Sequence, residues 1–258
     1  MLLPSATLLL VYALLLWAAS VKLRDASIID RFWGAGFMLV AWAGLWQSGT
    51  PVPHQLLVAG LVTLWGSRLS LHLTWRNWGT GEDYRYQAMR KKHGTSFVWK
   101  SLFTVFLLQA FLTWFISLPI QMVFAQPVAG TLPPLALAGT AVFFVGFLFE
   151  GIGDWQLARF KADPENAGQV MDTGLWRYTR HPNYFGDAVL WWGLYITALP
   201  APGVGYTFLS PMVMTLFLMK VSGVPLLEKR MAETRPAYAE YAQRTPTFFP
   251  WWPKSERV

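Results

Sequence analysis

The chain has no cysteine. That removes disulfide frameworks, thiolate nucleophiles and cysteine-based metal sites at once. Charge is scarce as well. Only 14% of the 258 residues are Asp, Glu, Lys or Arg, against 54% apolar, with 15 Trp and 18 Phe. A water-soluble domain of this length rarely carries so little charge, so a membrane-embedded chain is expected. No GxGxxG follows a strand-like run, which excludes a Rossmann domain as a nucleotide site. No repeat, low-complexity tract or long linker interrupts the chain, and a single integral-membrane domain over 1–258 is the expectation. The net charge of +7 raises the question of a nucleic-acid partner. Its distribution answers that question differently.

Apolar runs of roughly membrane-spanning length recur at residues 2–21, 32–47, 55–75, 97–118, 132–157, 183–199 and 206–221. The first lacks a basic start and is too long for a secretory leader, so it reads as a span. Lys and Arg cluster in alternate gaps. Lys22, Arg24 and Arg31 follow the first run. Arg76, Arg85, Arg90, Lys91 and Lys92 follow the third, with Lys100 just inside the fourth. Arg159, Lys161, Arg177 and Arg180 follow the fifth. Lys229, Arg230, Arg235, Arg244, Lys254 and Arg257 follow the seventh. The gaps at 48–54, 119–131 and 200–205 hold none. The positive-inside rule then predicts an all-α polytopic protein with seven transmembrane helices, its N-terminus outside and its C-terminus cytoplasmic. The basic balance belongs to a cytosolic face beside membrane lipids, and no nucleic-acid partner is expected.

The densest polar stretch lies where the sixth run begins: Gly174-Leu175-Trp176-Arg177-Tyr178-Thr179-Arg180-His181-Pro182-Asn183-Tyr184-Phe185-Gly186-Asp187. Pro182 suits the first turn of a helix. Asn183 and Asp187 then share one face. A carboxylate one turn inside a bilayer is costly unless it meets a polar cavity. Two readings are open: a headgroup-anchoring loop with Asp187 paired to an Arg, or a ligand site. Glu150 and Asp154 pose the same choice on the preceding helix. They pair structurally with Arg68 or Lys220, or they wall a filled cavity, with Gly151 and Gly153 removing bulk beside them. Asp30 either caps the second helix or lines a cavity. The polar run 76–86 is either a solvated ion-pair network or a lid over an anionic cofactor. Its Tyr84 and Tyr86 are phenols able to protonate a ketone-derived oxyanion. Arg159, Lys161, Arg177, Arg180 and Arg230 suit phosphates. Past the seventh run, Glu228, Lys229 and Arg230 lead into a cytosolic helix, and Trp251-Trp252 reads as an interface anchor.

Residues 180–187, Arg-His-Pro-Asn-Tyr-Phe-Gly-Asp, resemble the C-terminal motif of the steroid 5α-reductase and sterol C14-reductase group of membrane enzymes. The whole chain resembles the short bacterial branch of that group, a domain family of unassigned function. The shorter Arg-His-Pro-x-Tyr core also occurs in isoprenylcysteine and phospholipid methyltransferases. Asn183 and Asp187 tilt the match towards the reductases. The 29-residue spacing from Asp154 to Asn183 carries the same resemblance. So do residues 82–86 and the tail acid Glu228 followed by Tyr238 and Tyr241.

The resemblance implies a seven-helix bundle that holds NADPH in a bacterial inner membrane, with the cofactor site facing the cytoplasm. It implies cofactor contacts from Glu150, Asp154, Arg159, Lys161, Arg177, Arg180, His181, Asn183, Asp187, Glu228 and Arg230. The substrate it implies is a lipophilic enone or alkene, steroid- or sterol-like, that enters from the bilayer. In the 5α-reductases a Glu early in helix two and a Tyr in helix three meet the steroid carbonyl. Here helix two has no Glu and Trp65 stands near the Tyr position, which leaves Asp30, Tyr84, Tyr86 and Tyr184 as candidate proton donors. Two alternatives stand beside the reductase. One is an S-adenosylmethionine-dependent methyltransferase, whose cofactor needs far fewer basic groups. The other is a non-catalytic lipid-binding protein.

Overall fold

The computed structural model describes residues 1–221 and 223–254. Arg257, counted above with the last basic group, lies outside the described residues. Among the described residues every regular element is a helix. The chain divides into two compact units, residues 1–136 with 198–210, and residues 137–197 with 211–258.

The first unit contains α1 (Leu2–Leu23), α2 (Ile28–Arg31), α3 (Trp33–Ser48), α4 (Pro53–Arg76), α5 (Tyr84–His93), α6 (Phe97–Ser101), α7 (Leu108–Ile116) and α8 (Leu118–Ala125). A π-helical segment, Leu102–Leu107, joins α6 to α7. Helices α3 and α4 meet backbone to backbone: a β-carbon on Gly34 would lie 2.6 Å from the Gly66 carbonyl oxygen. Small residues allow such approach where dispersion drives helix packing. Trp65 is fully buried at this contact, edge-on to Phe37 with ring centroids 5.4 Å apart. A second core joins Ala13, Ile28, Ile29, Tyr86, Phe97 and Phe106.

Two stretches expected as loops are helical. Asp83 accepts a hydrogen bond from the Arg85 N–H at 2.9 Å and caps α5, whose ten residues include no Gly or Pro. Pro119 sits in the first turn of α8, where its missing N–H is harmless. Gln121, fully buried there, donates to the Trp114 carbonyl and the Ser117 hydroxyl, each at 2.9 Å.

The second unit contains most of α9 (Pro134–Ala162), α10 (Pro182–Ala198) and α11 (Leu209–Leu216), with α12 (Val224–Thr234) and α13 (Tyr238–Arg244). Helices α9 and α10 pack antiparallel through glycines seven residues apart, Gly139, Gly146 and Gly153 on one and Gly186 and Gly193 on the other. A β-carbon on Gly146 would lie 2.3 Å from the Leu190 nitrogen, and one on Gly186 would lie 2.3 Å from the Glu150 nitrogen. No side chain fits between these backbones.

Five stretches among the described residues are long and apolar enough to cross a membrane: Leu2–Leu23, Pro53–Arg76, Tyr84–Ile116, Pro134–Ala162 and Val204–Thr234. This marks an integral membrane protein. The second and sixth expected spans are also helices, α3 and α10, of 16 and 17 residues. At 1.5 Å per residue they reach roughly 24–26 Å, short of a hydrocarbon core of about 30 Å.

Candidate functional site

The close approach of α9 and α10 sets Glu150 and Asp154 beside Asn183 and Asp187, with Arg159 and Lys161 further along α9. Asn183 donates from its amide nitrogen to the Asp154 carboxylate at 2.9 Å. The Asn183 amide oxygen accepts from the Tyr184 N–H at 3.0 Å. Gly153 makes this possible, because a β-carbon there would come within 3.1 Å of the Asn183 nitrogen. Glu150, Asp154 and Asp187 are buried, at 4%, 8% and 8% exposure. Three buried carboxylates and the half-buried Asn183 amide thus lie on one helix pair. The turn before α10 is docked on α9 by two bonds: the Trp176 indole donates to the Gly153 carbonyl, and the Leu175 N–H donates to the Gln156 amide oxygen, each at 3.0 Å.

Arg180 holds the C-terminal tail. Its guanidinium donates to Glu228 at 2.7 Å, to the Ala242 and Thr245 carbonyls at 2.6 and 2.8 Å, and to the Thr247 hydroxyl at 2.7 Å. Backbone bonds run alongside, from Arg180 N–H to the Pro246 carbonyl and from Trp251 N–H to the Tyr178 carbonyl, each at 2.9 Å. The Tyr241 hydroxyl donates to the Trp176 carbonyl at 2.6 Å. Arg180 and Glu228, both expected at the cofactor, fasten α12, α13 and the tail to the start of α10.

His181 sits 3.3 Å from the same Glu228 carboxylate and stacks on Tyr184, with centroids 5.6 Å apart and planes 8° from parallel. Burial lowers its pKa and outweighs the Glu228 hydrogen bond, while the neighbouring Arg180 pushes the same way. His181 is thus neutral near pH 7. Burial likewise raises the phenol pKa values of Tyr238 and Tyr241.

Three hollows lie around this frame. A cavity of about 230 Å³ has His181, Arg180, Tyr238 and Lys161 among its lining residues, with Leu157 and Met231 as apolar wall. One of about 340 Å³ includes Trp155 and Arg159, and the Arg159 guanidinium lies 5.7 Å over the Trp155 ring. One of about 530 Å³ takes Arg177 together with Arg244 and Lys254. Arg177 thus lines a different hollow from Lys161 and His181. Arg230 is exposed on α12.

The remaining candidates belong to the first unit. Asp30 does not cap a helix, and neither α2 nor α3 has a side-chain cap. Its two carboxylate oxygens instead accept from Arg85 at 2.7 Å and from the Tyr86 hydroxyl at 2.9 Å. Arg85 also bonds Asp83 at 2.9 Å, and Arg90 grips Glu82 with bonds of 2.8 and 3.0 Å. The polar run is an ion-pair network joining α2 to α5. Burial pushes the Asp30 carboxyl up, against the pull of Arg85 and the Tyr86 hydroxyl. Burial acts the same way on Glu82, where Arg90 outweighs it and holds the pKa low. Tyr84 is exposed.

Sequence reading missed the glycine seam and the cleft shared by Arg177, Arg244 and Lys254. The seven-residue glycine spacing is a legible signal for the seam. The cleft depends on tail residues some seventy positions away and leaves no local signal.

Fold and site define a class: a helical integral membrane protein with a carboxylate–amide cluster between two tightly packed helices and a tail fastened over their end. The chain belongs to the family described as "Protein of unknown function (DUF1295)", which matches residues 16–245. It is also similar to "Uncharacterized protein C594.04c" of Schizosaccharomyces pombe, 25% identical over 263 residues, covering 91% of this chain and 75% of that one. No solved structure matches the chain.

Proposed function

We propose that the protein is an NADPH-dependent membrane oxidoreductase, similar to the steroid 5α-reductases, acting on a lipophilic enone or alkene drawn from the bilayer. The observation that carries this reading is the 2.9 Å Asn183–Asp154 hydrogen bond, with buried Glu150 and Asp187 on the same helix pair. Ionisable groups inside a membrane segment are functional by default, because burying them without use is costly.

The residues fit the cofactor by chemistry. Carboxylates and an amide match ribose hydroxyls and a carboxamide. Arg159, Lys161 and Arg230 are exposed and suit phosphates. When bound, the dinucleotide supplies a hydride. Asn183 and Asp154 would orient its polar end, and Asp187 and Glu150 would bind hydroxyls, from the flank of the helix pair rather than from between its close-packed backbones, apart from the three hollows described above. Tyr184, stacked on neutral His181, is the candidate proton donor in the same unit. In this reading α3 and α10 complete seven spans, with the N-terminus outside and the cofactor residues facing the cytoplasm of a bacterial inner membrane. The segregation of Lys and Arg into alternate gaps supports that orientation.

A second reading, a non-catalytic lipid-binding protein, is favoured by one observation. Arg180, Arg85 and Arg90, all suited to an anion, are engaged by acceptors of the protein itself. Calorimetry on the purified protein decides. The expected result is NADPH binding at least about tenfold tighter than NADH, the worth of one charge-assisted contact to the 2′-phosphate. Equal affinities remove that preference. S-adenosylmethionine binding alone would make the protein a methyltransferase, and no binding of any of the three would favour the lipid-binding reading.

A further inference from the structure

The 530 Å³ cleft lies outside the polar seam and presents a separate set of charges. Arg177, Arg244 and Lys254 line it with one carboxylate, Asp172. Arg244 is paired with Asp172 and lies 3.8 Å from Glu240. Arg177 and Lys254 are exposed, and among the described residues neither side chain is held in an ion pair. The walls are fixed by backbone bonds, from Lys254 N–H to the Arg244 carbonyl and from Trp251 N–H to the Tyr178 carbonyl, each at 2.9 Å. The positive groups are therefore held on a formed surface rather than on a loose tail.

The chain leading into this cleft carries Trp251 and Trp252, exposed at 72% and 70%. Trp252 is steadied edge-on by Tyr178, with centroids 5.4 Å apart. Exposed paired indoles are costly in water and favoured at headgroup level. A soluble anion has no use for them, whereas a lipid places its phosphate and its acyl boundary side by side.

We propose that this cleft is a binding site for the phosphate of an anionic phospholipid headgroup. Arg177 and Lys254 contact the phosphate, Arg244 closes the third side while remaining paired to Asp172, and Trp251 and Trp252 rest in the interface beside the bound lipid. A guanidinium and an ammonium converging on one phosphate form charge-assisted bonds. Each basic group near an anionic surface contributes about fivefold in affinity.

The test is native mass spectrometry of the full chain exchanged into phosphatidylglycerol or phosphatidylcholine, with Arg177→Gln/Lys254→Gln and, as a milder variant, Lys254→Gln alone. Thermal melting checks that each variant is folded. The expected result is retention of phosphatidylglycerol but not phosphatidylcholine, with affinity falling about fivefold per charge removed and NADPH affinity unchanged in Lys254→Gln. Equal retention of both lipids, or retention indifferent to the substitutions, overturns the proposal. So does calorimetric binding of inorganic phosphate that depends on these residues while lipid retention does not. Loss of NADPH affinity in Lys254→Gln would assign the cleft to the dinucleotide instead and also overturn it.

Discussion

Arg180→Ala is expected to loosen the tail rather than weaken a ligand. The Arg180 side chain is 9% exposed and that of Glu228 is 26% exposed. The substitution removes four donated bonds, leaving Glu228 with neutral His181 and stripping the Ala242 and Thr245 carbonyls of a charged donor. Breaking a buried pair from one side costs about 3–5 kcal/mol, and the residual exposure of Glu228 places this case near ~3 kcal/mol. For a chain of this size that is a fall in Tm of roughly 6–12 °C. Tryptophan fluorescence in mild detergent reads it, because Trp176 and Trp252 sit at the fastened segment. The loss should persist in high salt, since buried pairs are screened far less than surface ones. An unchanged Tm with a salt-sensitive loss of NADPH affinity would refute the reasoning and return Arg180 to a phosphate.

Three further outcomes follow from the same structure. Gly186→Ala puts a methyl group 2.3 Å from the Glu150 nitrogen and should cost about 1–3 kcal/mol or more by overpacking, read as a lowered Tm; a neutral result would mean that the α9–α10 seam is not closed. Because burial holds His181 below its unfolded value of about 6.5, the unfolded chain binds more protons as pH falls. Stability should therefore be full above that value and decline below it, and His181→Gln should remove the part of the slope that lies below it. A cysteine placed at Ala129 should label only from the outer face and one at Lys91 only from the cytosol, a clean assay in a chain without native cysteine. Labelling of Ala129 from the cytosol alone would overturn the orientation.

Much of this architecture was readable in the chain. Apolar runs located the long helices because their spacing depends on local composition alone. Pro182 marked the start of α10, and Asp154 and Asn183 proved to be hydrogen-bond partners across 29 residues. Other features were hidden for physical reasons. The buried face of helix α5 is short, Tyr86 with Met89 beside it, so no apolar periodicity betrayed it, and its stability comes from that contact, from Asp83 at its cap and from the Glu82–Arg90 pair. The role of Arg180 depends on main-chain carbonyls 62 and 65 residues away, which have no side-chain signature. Asp30 looked like a cap because its partners, Arg85 and Tyr86, lie 55 and 56 residues on.

The central claim, that the carboxylate–amide cluster on α9 and α10 holds a nicotinamide dinucleotide, is tested most directly by measuring NADPH affinity and thermal stability together on Asn183→Ala and Asp187→Ala. Each removes a partner from a buried polar set, worth about 1–3 kcal/mol, or roughly five- to 150-fold in affinity. The account predicts that NADPH affinity falls by that factor while the protein still inserts and folds. Lost stability with unchanged NADPH affinity in the folded fraction would contradict it, and would mean that Asn183 and Asp187 bind the two helices to each other and hold no cofactor.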